Sequence, residues 1–331
     1  MRQLSEHLVA KGHEVTVATS TNEQRTAKTV NNVKVVEFNL SGNAVNGITG
    51  DPEEYRHFLL SGNFDLVCCF AAQTWHSDIL MDVIEQLPYR KFFVPTGFSE
   101  LHNPRFANYY SQMKQWLHHF DCNIFLSETY QDIGFARNAE LPESKITIIP
   151  NGGSLDEFAE ITPQHDIRNE LNIPGDDLLI LHVGGLSGYK GHKESVKIFN
   201  LAKLKNATLL MLAPEFSSCV RKSLVLLKKA LFKGLKMIGA RSPWLMTSAE
   251  SFYCEEDIRH NILLKYLSRE KVVSAFKQAD IFLFPSNIEC SPIALFEAAA
   301  SATPFCTTDV GNAKEIIEWT NGAGTLLPSV K

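Results

Sequence analysis

Two glutamates, Glu289 and Glu297, are the only charged side chains between Ile288 and Ser301. They lie in a stretch from Pro285 to Pro304 that is otherwise uncharged, and the apolar run Ile281 to Phe284 leads into it as a buried strand. Ser291 followed by Pro292 reads as a helix start, a capping hydroxyl and then a proline at the first helical position. The helix that follows, 292 to 300, is apolar on every face except at Glu297. A carboxylate in such a place is costly unless something bonds to it. The hydroxyls of a sugar or a ribose would do so. A surface position or a structural ion pair is the plainer alternative, disfavoured because the helix offers no polar face to keep Glu297 wet.

A second candidate site lies in the turn from Val183 to His192. Gly184, Gly185, Gly188 and Gly191 let the backbone come close to a ligand, and a helix follows from about His192. A strand, a glycine turn and a helix start together present N–H groups and a positive helix end to phosphate. Lys190 adds a charge suited to a diphosphate. The spacing is neither the dinucleotide GxGxxG nor the P-loop GxxxxGK[ST], and an ordinary tight turn is the alternative. Val183 and Phe284 end two strands, and open parallel sheets bind ligands at the carboxyl ends of their strands. That rule brings Lys190 to the turn Cys290, Ser291, Pro292 and Ile293. Asp309, Val310, Gly311 and Asn312 form another such strand-end turn.

The run ProSer, Glu289, seven residues, Glu297, AlaAlaAla and ThrPro resembles the donor-site signature of retaining GT-B glycosyltransferases of family four, the "group one" enzymes. The resemblance implies an α/β fold of the GT-B type: two Rossmann-like domains, with mainly parallel sheets, facing across a cleft. It gives Glu297 to the donor ribose and Glu289 to the donor sugar. Glu289 and Lys190 are then the catalytic pair, and Gly184, Gly185, Cys290, Ser291, Pro292, Ile293 and Gly311 join Glu297 in donor binding. Gly185 stands where the family commonly has arginine, whereas Lys190 and Gly191 match. Asn312 replaces a glycine of the family's ValGlyGly loop. The histidine that the family often carries in the loop matching 94 to 99 is absent, and His76 and His102 lie nearby in sequence. The implied reaction moves a hexose, with retention, from a nucleotide-diphosphate sugar to a glycan, lipid-linked or small-molecule acceptor, as in polysaccharide biosynthesis. It needs no cofactor and no metal. Family members usually begin with a further strand and glycine loop and end with a further helix, so the chain is expected to be cut at both ends. A non-catalytic donor-binding remnant is the rival reading.

Those residues must be positioned by two domains, and 331 residues suffice for two cores. Strand-like and helix-like segments alternate, which points to parallel sheets with crossover helices. Strands are expected at 13–19, 33–38, 64–70, 92–95, 121–127, 145–150, 178–183, 207–212 and 280–284. Helices are expected at 74–87, 104–120, 165–172 and 270–279. Pro150 to Gly153 breaks the chain, giving a first domain 1–152, a linker 153–176 and a donor domain 177–331. A composition of 44% hydrophobic and 21% charged residues is globular. No run is long enough to span a membrane and the N-terminus has no signal-peptide core, so a cytoplasmic protein is expected. The seven cysteines show no metal-ligand spacing and read as buried thiols. A net charge of −5 argues against nucleic acid as a partner. Seven basic residues and no acid lie between Arg221 and Arg241. With apolar residues at helical spacing, the segment 220–241 offers a peripheral contact with an anionic membrane. A helix packed on its own domain is the alternative there.

Overall fold

The computed structural model describes residues 2–159, 163–213 and 261–328. The chain divides into two compact units, Met1–Pro150 and Asn151–Lys331.

The first unit runs α1 (Arg2–Ala10), β1 (Thr16–Ser20), β2 (Thr29–Val30), β3 (Val33–Phe38), β4 (Ser41–Asn43), β5 (Gly47–Thr49), α2 (Glu53–Ser61), β6 (Leu66–Phe70), α3 (Trp75–Val83), β7 (Arg90–Val94), α4 (Ala107–His119), β8 (Cys122–Phe125), α5 (Gln131–Asn138) and β9 (Ile146–Ile148). Strands β6, β7, β8 and β9 form a wholly parallel sheet in chain order. β1 pairs in parallel with β3, and β2 closes on β3 as an antiparallel hairpin. The short β4–β5 hairpin stands apart. The helices cover these strands through an aromatic core that includes Phe38, Tyr55, Trp75, Phe93, Phe98 and Phe120. The run 64–70, expected to be buried throughout, is not: Leu66 is 40% exposed and Cys68 is exposed, while Cys69 is buried. The described cysteines are free thiols.

The second unit runs α6 (Leu155–Phe158), α7 (Ile167–Glu170), β10 (Leu178–Val183), α8 (His192–Ala202), β11 (Ala207–Leu212), β12 (Ile262–Lys265), α9 (Arg269–Gln278), β13 (Ile281–Phe284), α10 (Ile293–Ala300), β14 (Phe305–Thr307), α11 (Ala313–Trp319) and β15 (Gly324–Leu326). Among the described residues, its sheet has six strands, all parallel, in the order β12-β11-β10-β13-β14-β15. β10 and β11 read as near-continuous apolar runs because a parallel sheet is covered on both faces; all six residues of β11 are buried. The stretch expected as a linker instead contributes Phe158, Ile167 and Ile173 to this core. From β10 the chain moves outward to β11 and β12, then returns to the other side of β10 for β13. The order therefore reverses between β10 and β13, where an open α/β sheet leaves a crevice at its carboxyl edge.

Candidate functional site

Three turns leave the carboxyl ends of β10, β13 and β14, and two glycines let them touch. Gly191 has φ +80°, and a Cβ on it would stand 2.2 Å from the Pro285 carbonyl oxygen. Gly311 has φ +52°, and its Cβ would stand 2.3 Å from the Cys290 carbonyl oxygen. Only glycine fits either place without moving a backbone. The Asn312 N–H donates to Cys290 O at 3.0 Å and the Asn287 N–H to Tyr189 O at 2.8 Å. Below them, Nδ1 of buried His182 lies 2.9 Å from Leu283 O and 3.2 Å from Ser195 Oγ, tying β10 to β13 and to α8. Burial, aided by His192 against it, lowers the His182 ring to about 3, so it is neutral and structural.

This packing places Lys190 on Glu289. The ammonium donates to both carboxylate oxygens, at 2.8 and 2.9 Å. Ser286 Oγ, fully buried, donates to Glu289 Oε1 at 2.9 Å. Glu289 is nearly enclosed, with 10% of its side chain exposed, and the Lys190 side chain is 34% exposed. Gly184 lies directly over this pair, its Cβ position 3.0 Å from Lys190 Cβ, whereas Gly185 opens onto free space.

Glu297 sits on the buried side of α10 with 8% exposure. It is held in an ion pair, the reading that the bare helix pattern disfavoured: Arg269 Nη1 lies 2.7 Å from Glu297 Oε1. The same guanidinium holds Glu157 through Nη2 at 2.6 Å and stands over the Phe158 ring at 5.9 Å. Burial pushes the Glu297 carboxyl above the usual range. Arg269 pulls it back by charge and hydrogen bond, and Glu157 pushes it up again. Nothing in the sequence spacing singles out Arg269, which is 28 residues away at the start of another helix.

Ser291 also departs from its expected part. α10 begins at Ile293 with Pro292 as the cap residue, and no side chain caps it. The Ser291 hydroxyl instead accepts from the Asn151 N–H at 3.2 Å and from Asn312 Nδ2 at 3.1 Å. Asn151 Nδ2 donates to Ser291 O at 2.8 Å. Ser291 therefore shapes the turn from below, while Ile293 stands 53% exposed at the helix start.

The first unit has its own polar features. His76 is within hydrogen-bond reach of Cys69, Thr74 and Ser77, and burial takes its ring down to about 4. His102 lines a cavity of about 490 Å³ between α4 and α5, with Tyr110, Lys114, Gln131 and Phe135. Asp132 is fully buried, accepting from the Gly97 and Ile133 N–H groups at 3.0 Å each. Burial raises it to about 6 against those two bonds. Among the described residues no cluster of three or more metal-ligating side chains occurs, and no helix is long and apolar enough to cross a membrane. The basic segment 220–241 lies outside the described residues.

Comparison with known proteins agrees with this fold. Residues 1–157 match Glycosyltransferase Family 4, and residues 246–330 match Glycosyl transferases group 1. An uncharacterized glycosyltransferase of Methanocaldococcus jannaschii is 22% identical over 95% of this chain and 77% of its own length. Sucrose-phosphate synthase from Thermosynechococcus elongatus superimposes with a TM-score of 0.68 at 17% identity, over 100% of this chain and 79% of that one. Anabaena HepE in complex with UDP-glucose superimposes with a TM-score of 0.55 at 13% identity, over 80% of this chain and 64% of that one. The α/β architecture with its parallel sheets is that of these GT-B neighbours.

Proposed function

The chain belongs to the family 4 and group 1 glycosyltransferases, and we propose that it transfers a hexose, with retention, from a nucleotide-diphosphate sugar. The observation that carries the donor site is the meeting of Lys190 and Glu289 at the β10–β13 switch, 99 residues apart in sequence, with Glu297 buried on the helix that follows. The complex of HepE with UDP-glucose supports a nucleotide sugar as ligand.

In this reading the diphosphate lies across the Gly184–Gly185 turn and the N–H groups from Cys290 to Ile293, with Gly311 keeping that turn in place. As the bond from the anomeric carbon to the diphosphate oxygen breaks, negative charge grows on the leaving group. Fixed N–H dipoles and the Lys190 ammonium stabilise it without a metal. The acceptor hydroxyl forms the new bond on the same face, and its proton passes to the departing diphosphate oxygen. Glu289 orients the donor sugar by accepting from its hydroxyls, and Glu297 does the same for the ribose. Neither is assigned the part of proton donor, because a flanking acid–base pair is a hydrolase arrangement. Acceptors are a glycan, a lipid-linked sugar or a small molecule, as in polysaccharide assembly. The basic segment 220–241 would bring the enzyme to an anionic membrane, and absence of binding to anionic vesicles at low salt would remove that part.

The test is calorimetry with UDP-, GDP-, ADP- and dTDP-sugars on the parent and on Glu297→Ala. One nucleotide should bind, and the variant should bind it about 1 to 3 kcal/mol more weakly. Failure of all four to bind a folded protein would refute the donor site. A second reading, donor binding without turnover, is favoured by one feature: Gly185 leaves the family's usual arginine position without a cation. Product formation from the donor that binds decides between them.

A further inference from the structure

Arg269 is the first residue of α9, where the helix dipole disfavours a cation, and Ser268 before it makes no side-chain cap bond. Local helix chemistry therefore gives no reason for an arginine here. Its contacts do. The guanidinium is planar and fork-shaped, and it spans two carboxylates on two other elements, Glu157 on α6 and Glu297 on α10. Its Nη1 stands 2.7 Å from Glu297 Oε1. A carboxylate has about four acceptor positions on its two oxygens, so the ion pair leaves capacity on Oε2 and on Oε1 itself.

We propose that Arg269 is a positioning residue for the donor ribose: it pins the Glu297 carboxylate by one oxygen and leaves the other to accept the ribose hydroxyls. The inference rests on the donor-site reading above. Among the described residues, two charged groups act on Glu297, Arg269 from α9 and Glu157 from α6, with opposite effect. The neighbouring α11 lends no cation from Lys314, which is tied to Asp309 at 2.6 Å. Arg269 is thus the group that favours the carboxylate over the neutral acid at Glu297. Glu157 holds the far side of the guanidinium and fixes the direction in which it points.

The test compares two ligands on four proteins. The ligands are the best-bound of UDP, GDP and ADP, and the 2′,3′-dideoxy form of the same nucleotide. The proteins are the parent, Arg269→Met, Arg269→Lys and the double variant Arg269→Met/Glu297→Gln. Arg269→Met should weaken binding of the ribose form about tenfold or more and leave the dideoxy form nearly unchanged. Arg269→Lys should recover much of the loss. In the Glu297→Gln background the arginine should no longer matter. The loss in Arg269→Met should deepen as pH falls, because without the guanidinium nothing offsets the burial that raises the Glu297 carboxyl. An equal loss for both ligands, or a loss independent of pH, would mean that Arg269 only supports the fold and would overturn the proposal. If Arg269→Met melts too low to measure, Arg269→Gln against the parent gives the same ligand comparison. Absence of nucleotide binding in the folded parent is a different failure: it refutes the donor site itself, and the Arg269 proposal with it.

Discussion

Replacing Gly185 by arginine should strengthen diphosphate binding, and the structure fixes the size of the gain. A Cβ on Gly185 meets no atom within 4 Å, and the residue is not in the left-handed region, so a side chain enters without strain. Lys190, five residues on, already shares its charge with both oxygens of Glu289. A diphosphate arriving at the turn must compete with that carboxylate for the ammonium. A new guanidinium about 4 Å from a phosphate oxygen contributes between about 1 kcal/mol in bulk water and about 4 kcal/mol near a protein surface. Ordering the arginine side chain costs up to about 1.5 to 2 kcal/mol. The turn is half-exposed, so a net gain of about 1 to 2 kcal/mol is expected, roughly 5- to 30-fold in affinity. Calorimetry with the nucleoside, its monophosphate and its diphosphate reads this directly. The gain should be absent for the nucleoside, largest for the diphosphate, and smaller at high salt. A folded Gly185→Arg protein with unchanged diphosphate affinity, or with an equal gain for the bare nucleoside, would refute the placement of phosphate at this turn.

Two further predictions concern the scaffold. Gly191→Ala should destabilise the second unit by roughly 3 kcal/mol: the left-handed backbone alone costs about 1 to 2 kcal/mol in a residue with a Cβ, and the Pro285 carbonyl must move as well. Gly185→Ala, in open space, should shift stability by less than about 0.5 kcal/mol; equal melting of the two variants would contradict the close approach at Gly191. Asp132 titrates from about 6 in the fold against an ordinary 3.8, so its protonated form is favoured on folding. Its contribution is therefore fully present below about pH 4 and is lost as pH rises through 6, a change of about 3 kcal/mol. The stability difference between Asp132→Asn and the parent, followed by hydrogen exchange in β7 and β8, should shift by that amount in favour of the variant between pH 4 and pH 7. A flat difference would show that the two N–H donors outweigh burial.

What the sequence made legible follows from periodicity and from one topological rule. The apolar runs at 178–183, 207–212 and 281–284 are strands because a sheet covered on both faces needs unbroken apolar residues, and they lie within one residue of the expected bounds. β12, β14 and β15 escaped notice because, unlike the unbroken apolar β13, they are interrupted: Lys265, Thr307 and Gly324 with Thr325 leave at most three apolar residues in a row. The meeting of Lys190 with the turn after β13 was legible too, since parallel sheets gather their strand-end turns on one edge. Side-chain partners were not. Asn151 takes the Ser291 hydroxyl from 140 residues away, and a rule about local capping has no means of seeing it.

Glu297 shows where such reasoning divides. Burial demands a partner for the carboxylate, and a partner is there. It could not say which one, because desolvation penalises an unpaired charge and is indifferent to what pairs with it. Treating an ion pair and a ligand hydroxyl as alternatives was the error, since a carboxylate accepts from more than one donor. A ribose hydroxyl alone would leave Glu297 unpaired whenever the donor departs, and burial would then drive it toward the neutral acid. An arginine on one oxygen keeps the charge through the empty state and leaves acceptor capacity for the next donor. A buried site that must bind and release a neutral ligand many times needs a permanent counter-charge, and Arg269 is placed to be it.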